Sequence, residues 1–303
     1  MTLRVSIGKL ELKNPVMTAS GTFGYGREFE EFLDLGSLGA VVMKGLTLEP
    51  RDGNPPPRIH ETACGMLNAI GFQNVGLERF LAEKLPYMRK FDTKVIANIL
   101  GNTPGEYVKL ARALDGAGVD GIEVNVSCPN VKRGGIEFCA DSVMLGRLVK
   151  DIRKAVDSAT LIIKLSPNTS DIALPARVAQ EEGADAVSLI NTIPGMAIDV
   201  HTRRPMLANV MGGLSGPAIK PVALRMVWQA SRAVSIPVIG MGGIRSGEDA
   251  VEFLLAGATA VAVGTANFIN PSASEEVLRG IAGYLEAEGL EDVNDIIGGL
   301  AAE

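Results

Sequence analysis

The sequence predicts an α/β protein of the (β/α)8, or TIM, barrel type, and three observations lead there. Short apolar runs alternate with longer amphipathic stretches along the whole chain, and eight of each can be read. The runs are almost wholly apolar, which is the pattern of parallel strands covered on both faces. The chain has 303 residues, against ~250 for a typical barrel, which leaves room for insertions. A doubly wound sheet uses the same local units, so count and length decide between the two.

Residues 3–16 come first, two short alternating runs around Gly8-Lys9, and read as a β-hairpin ahead of the barrel. Strands are then expected at 16–19, 40–44, 94–100, 121–126, 161–165, 186–190, 237–240 and 260–264. Amphipathic helices are expected at 27–34, 77–89, 105–117, 142–156, 171–182, 217–234, 247–256 and 272–288. Gly118, Gly183 and Gly257 follow three of these helices, where a left-handed cap turns the chain into the next strand. Two insertions remain, 47–75 after the second strand and 191–215 after the sixth. Both read as long loops at the C-terminal face, where barrels keep their active sites, and the second has the length of a lid. No low-complexity linker divides the chain, so residues 1–303 read as one domain.

Composition narrows the function classes. Apolar residues make up 47% and charged residues 21%, enough to bury a core and to exclude a disordered chain. Gly accounts for 35 residues, well above the usual ~7%. A net charge of −6 repels a phosphate backbone as a whole, so nucleic-acid binding is not expected. The start lacks a signal-peptide pattern, and no apolar run reaches the ~18 residues of a membrane span, so a cytoplasmic protein with no membrane contact is expected. The three cysteines, Cys64, Cys128 and Cys139, form no CxxC pair, and the two histidines, His60 and His201, have no metal spacing. No metal site is expected on this chain.

Chemistry in a barrel sits where the apolar strands stop. Those positions hold Ser20, Lys44, Asn98, Asn125, Lys164, Asn191, Thr192, Gly242, Gly243, Gly264 and Thr265. Two lysines at the ends of buried strands need anionic or strongly polar partners. Glycines after the last two strands leave backbone N–H groups unshielded just before helices, which is how barrels hold phosphate. No Walker loop is present, and Gly24-Tyr25-Gly26 lacks the rest of a dinucleotide fingerprint. Cys128 follows the fourth strand between polar residues, with Pro129 fixing the turn, a position that favours chemistry over packing. On residues alone a phosphorylated cofactor or substrate is expected, and a phosphate-binding lyase or isomerase using Lys164 as a Schiff base and a non-catalytic binding barrel both stay open.

Several motifs together resemble the dihydroorotate dehydrogenase family, in particular its class 1B catalytic flavin subunits. They are Met43-Lys44-Gly45, the run from Gly65 to Gly71, Asn125 through Asn130, Ile190-Asn191-Thr192, Gly195 through Asp199, Gly213 through Pro221, and the two late glycine sites. Phe72 and Val75 depart from the family pattern, where Leu and Pro are expected. The resemblance implies FMN in the barrel mouth and oxidation of dihydroorotate to orotate in pyrimidine synthesis. It implies phosphate on the N–H groups of Gly242, Gly243, Gly264 and Thr265, with Ser20, Gly45, Asn98, Ile190 and Gly216 lining the rest. Lys164 is then an electrostatic stabiliser at the flavin. Lys44, Asn68, Asn125, Asn191 and Thr192 hold the substrate, beside Ala69, Ile70, Gly71 and Phe72; Lys44 and Asn125 also lie at the cofactor. Cys128 is the general base. It further implies a homodimer joined to a second subunit that carries FAD and a [2Fe–2S] cluster and reduces NAD+, a heterotetramer in all. A related flavin enzyme acting on a pyrimidine without the carboxylate is the alternative within the same chemistry.

Overall fold

The computed structural model describes residues 1–126 and 141–301. Its centre is a closed barrel of eight parallel strands, Val16–Thr18, Ala40–Val42, Lys94–Ile99, Gly121–Asn125, Thr160–Lys164, Ala186–Leu189, Val238–Met241 and Ala260–Val263. Neighbours in space are neighbours among these eight in the chain, and the eighth pairs with the first through Val261 and Val16. Each expected strand is present within two residues of its expected limits. Almost every strand residue is buried because one face meets the barrel interior and the other meets the helices.

Helices Pro104–Gly116, Ser142–Arg153, Ala173–Glu181, Lys220–Ser231, Gly247–Leu255 and Ala273–Ala287 cover the outside. Thr103 caps the first of these with Pro104 behind it, and Asp141 caps the second by accepting from Val143 and Met144 N–H. Gly118, Gly183 and Gly257 all have positive φ, as their places after helices predict. The helix expected at 27–34 is instead a single 3-10 turn, Arg27–Phe29, and a second 3-10 turn, Leu35–Ser37, follows just beyond the expected segment. Phe23 stacks on Phe29 at 4.0 Å, and Asp34 caps Gly36 rather than continuing the first turn, so each turn stops after three residues. The hairpin Val5–Ile7 and Leu10–Leu12 forms as expected and buries Ile7 and Leu12 beneath the N-terminal end of the strands, beside Asp185.

The two insertions are not loops. Ile59–Thr62, Gly65–Asn68, Ile193–Met196 and Met211–Ser215 make a four-stranded antiparallel sheet above the mouth, in which Asn68 pairs with Gly213. A small ribbon, Ile198–Asp199 with Arg204–Pro205, extends it. Pairing 145 residues apart leaves no periodic trace in either segment. Their glycines and prolines, read locally, look only like loops.

Asp115 ties the barrel wall together. Its carboxylate accepts the N–H groups of Asp157 and Ser158, each at 3.0 Å, and of Ala159 at 2.7 Å, which joins helix Pro104–Gly116 to the entry of the fifth strand. Burial alone raises this carboxyl's pKa, but the three donors outweigh it and hold it below the usual aspartate value. A depressed folded value means the stabilisation is complete above the unfolded pKa and lost as pH falls through the folded one. Asp115→Ala should cost ~1 kcal/mol at pH 7, discounted for its exposure. Urea unfolding at pH 7 and pH 3 checks this: the gap between variant and wild type should shrink at pH 3, and an equal gap at both would contradict the assignment.

Candidate active site

The C-terminal ends of the strands open into one cavity of about 1590 Å3 beneath the four-stranded sheet. Such a volume exceeds the ~300–1,000 Å3 of an ordinary ligand pocket and admits a cofactor together with a substrate. Ser20, Lys44, Gly45, Asn98, Asn125, Lys164, Gly216, Gly242, Gly243, Gly264 and Thr265 all line it. So do Asn68, Ala69, Ile70, Gly71, Phe72, Ile190, Asn191 and Thr192. Cys128, Pro129, Asn130 and Cys139 lie outside the described residues. Cys64 is exposed at the turn between two strands of the upper sheet, and neither it nor His60 or His201 lines the cavity.

One side of the cavity is built from backbone. Gly242 and Gly243 have φ of 131° and 79°, and Gly216 has 93°. A Cβ on Gly242 would stand 2.7 Å from the Ala223 Cβ, and one on Gly243 would stand 2.9 Å from the Gly216 oxygen, so only glycine keeps these turns. Across from them, a Cβ on Gly264 would meet nothing closer than Ala19 at 3.4 Å. Thr265, which also lines the cavity, donates its hydroxyl to Ser215 at 2.7 Å. A wall of unshielded N–H groups, free of side chains, fits a phosphate monoester.

The floor is charged. Lys164, on the fifth strand, is 5% exposed; its ammonium donates to the Ser20 hydroxyl at 3.1 Å and lies 3.8 Å from the Glu123 carboxylate. Glu123 is itself 2% exposed and accepts from Asn98 Nδ2 at 2.6 Å and from the Ser188 hydroxyl at 2.7 Å. Because Asn98 gives its amide N–H to Glu123, its carbonyl oxygen faces the other way, toward Gly45 and the cavity. Glu123 and Ser188 form a polar layer under the cavity that the strand-end positions did not include. The signal was available: Glu123 stands two residues before Asn125 on one strand, and a period of two puts both on the inner face.

Lys44 stands two residues beyond the second strand, half-buried, with no hydrogen-bond or ion-pair partner among the described residues. Burial pulls its pKa below the ordinary lysine value, the nearby Arg58 guanidinium pulls it further, and Glu28 opposes both weakly. Arg58 lines the same cavity and is braced by Gln73. Two cations that line one space, neither in an ion pair among the described residues and opposed only weakly by Glu28, make that corner suited to a carboxylate. The amides of Asn68, Asn125 and Asn191 and the hydroxyl of Thr192 surround the same space and supply both donors and acceptors. Phe72 takes φ of 59°, and Val75 keeps an N–H that donates to the Tyr25 hydroxyl at 3.2 Å, a bond proline would forgo.

Taken together, a phosphate-sized cradle, a buried ammonium on a carboxylate, and a cationic corner ringed by amides suit a phosphorylated planar cofactor above a small anionic substrate. Comparisons with known proteins agree on the family. A family model described as dihydroorotate dehydrogenase matches residues 2–285. A protein of Thermoanaerobacter sp. (strain X514) named dihydroorotate dehydrogenase B (NAD(+)), catalytic subunit, is 56% identical over 303 residues, all of both chains. Proteins of the same name from Pelobacter propionicus and Geotalea daltonii are each 58% identical over 299 residues, 98% of either chain.

Proposed function

The chain belongs to the dihydroorotate dehydrogenase family, and on that premise we propose that it oxidises dihydroorotate to orotate in pyrimidine synthesis as an FMN-dependent catalytic subunit. The observation that carries this reading is the single cavity that gathers the glycine cradle, the buried Lys164 and the unpartnered Lys44. In this reading the N–H groups of Gly242, Gly243, Gly264 and Thr265 hold the phosphate of FMN. Ser20, Gly45, Asn98, Asn125, Ile190 and Gly216 line the remainder of its place. When bound, FMN supplies the two-electron acceptor that takes a hydride from the substrate.

The chain's own residues do the rest. Lys164 keeps a positive charge at the floor, where reduction makes the cofactor more negative, and a preorganised charge stabilises that change without reorganising. Lys44 receives the substrate carboxylate, with Arg58 reinforcing the local positive potential. Asn68, Asn125, Asn191 and Thr192, together with the backbone from Ala69 to Phe72, orient the amide edges of the ring, and this is where selectivity for a carboxylated pyrimidine arises. Cys128 accepts the proton from the substrate's C5 as general base. The upper sheet lines one side of the cavity through Met66, Asn68, Pro194 and Met211.

The name shared by the relatives, catalytic subunit, supports a separate electron-transfer subunit. In our reading that partner carries FAD and a [2Fe–2S] cluster, docks on a homodimer of this chain, and passes electrons to NAD+. No helix among the described residues is long and apolar enough to cross a membrane. The test is direct. The purified, flavin-loaded chain should reduce an artificial dye with dihydroorotate yet form NADH slowly, and addition of the partner should restore NADH formation. Rapid NAD+ reduction by a preparation that mass spectrometry shows to contain this chain alone would overturn the partner. Failure to reduce any dye with dihydroorotate, while dihydropyrimidines lacking the carboxylate serve, would overturn the substrate.

A further inference from the structure

We propose that the Lys220–Asp249 ion pair is a brace that sets the shape of the phosphate cradle, making both residues positioning groups for the cofactor's phosphate rather than ligands of it. The inference rests on the reading of the late glycines as the phosphate site.

The loop in question runs from Gly242 to Ser246, between the seventh barrel strand and helix Gly247–Leu255. Its far end is held by Asp249, 8% exposed, whose Oδ2 accepts the N–H of Arg245 at 2.9 Å and of Ser246 at 3.1 Å. Ser246 returns the contact by accepting the Asp249 N–H at 3.2 Å, a capping box. The near end rests on Lys220, for a Cβ on Gly243 would lie 2.8 Å from the Lys220 Cβ. From that backbone position the Lys220 ammonium reaches Asp249 Oδ1 at 2.6 Å and Glu252 at 2.9 Å. The contacts form a ring: Lys220 backbone, Gly243, the loop, Asp249 and back to the Lys220 ammonium.

Gly242, Gly243, Ile244 and Arg245 line the cavity, whereas Lys220 and Asp249 do not. Lys220 has therefore committed its charge to two carboxylates. Burial, the largest single influence, lowers its pKa, but the hydrogen bonds it donates to Asp249 and Glu252, with their negative charges, outweigh it and hold it above the ordinary lysine value. Asp249 is held below the usual aspartate value, since Lys220 and the loop N–H groups together outweigh the effect of burial. The pair is intact at neutral pH, and the phosphate is left to backbone N–H dipoles. Such dipoles bind well only when they converge on one point, so the loop needs an external brace.

The experiment compares FMN with riboflavin, which lacks the phosphate, by titrating the apoprotein and following fluorescence quenching. Wild type should bind FMN much more tightly than riboflavin. Asp249→Asn should weaken FMN binding about 10- to 100-fold while riboflavin binding stays within about threefold. Lys220→Met should act in the same direction and leaves the capping box intact, so it decides the matter alone if the Asp249 variant does not fold. A direct charge effect would move the two variants oppositely, because removing Asp249 would favour an anion and removing Lys220 would disfavour it. Opposite shifts, equal losses for both ligands, or unchanged FMN affinity would overturn the brace. Equal affinity of wild type for FMN and riboflavin would instead overturn the phosphate reading and the brace with it.

Discussion

Replacing Cys128 by Ala should slow flavin reduction by dihydroorotate about 10²–10⁴-fold, the usual cost of removing a positioned base, while FMN stays bound. The assignment follows from sequence: Cys128 comes three residues after Asn125, the last residue of the fourth strand, in the stretch from Asn125 to Asn130 that resembles the family motif. Proton removal from C5 must accompany hydride loss from the neighbouring carbon, so the loss should appear in the reductive half-reaction under anaerobic stopped-flow. Cys128→Ser should keep a small rate that climbs with pH, because a hydroxyl gives up its proton less readily than a thiol. Cys64→Ser is the control and should behave as wild type, since Cys64 is exposed and outside the cavity lining. Near-normal reduction by Cys128→Ala at neutral pH would remove the cysteine from the mechanism.

Glu123→Ala should be the most destabilising single change at the cavity floor, by about 3–5 kcal/mol in urea unfolding of the apoprotein. The wild-type carboxylate is 2% exposed and serves three groups: the Asn98 amide, the Ser188 hydroxyl and the Lys164 ammonium. Its removal leaves a 5%-exposed ammonium with only the Ser20 hydroxyl beside it and two polar groups unpaired in the barrel interior. Glu123→Gln keeps an acceptor for Asn98 and should lose less. An Ala variant within about 0.5 kcal/mol of wild type, the range of an ordinary surface change, would mean that the layer does not hold the floor together.

Much of the site was legible because barrel strands are short, apolar and end abruptly. Lys44, Asn98, Asn125 and Lys164 stand out against such runs, and closure of the barrel brings their ends to one mouth. Glu123 was overlooked because it lies inside a strand rather than at its end, even though strand alternation placed it beside Asn125. Arg58 escaped because its segment looked like loop, and only the pairing of Ile59–Thr62 with Gly65–Asn68 carries it over the cavity. Lys220 was visible as part of a motif, but whether its charge served phosphate or a carboxylate depended on Asp249, 29 residues away.

By itself the sequence determined the eight parallel strands, the caps between them, the hairpin beneath and the family to which the chain belongs. These follow from local periodicity, from residues whose backbone preferences act within a few positions, and from motifs contiguous in the chain. Tertiary structure alone decided that residues 47–75 and 191–215 pair into a sheet over the mouth, and which carboxylates neutralise Lys164 and Lys220. The physical reason is the same in each case. Strand pairing and ion pairing are chosen by what lies opposite in space, and the partners here are separated by tens of residues to well over a hundred, beyond the reach of any local pattern.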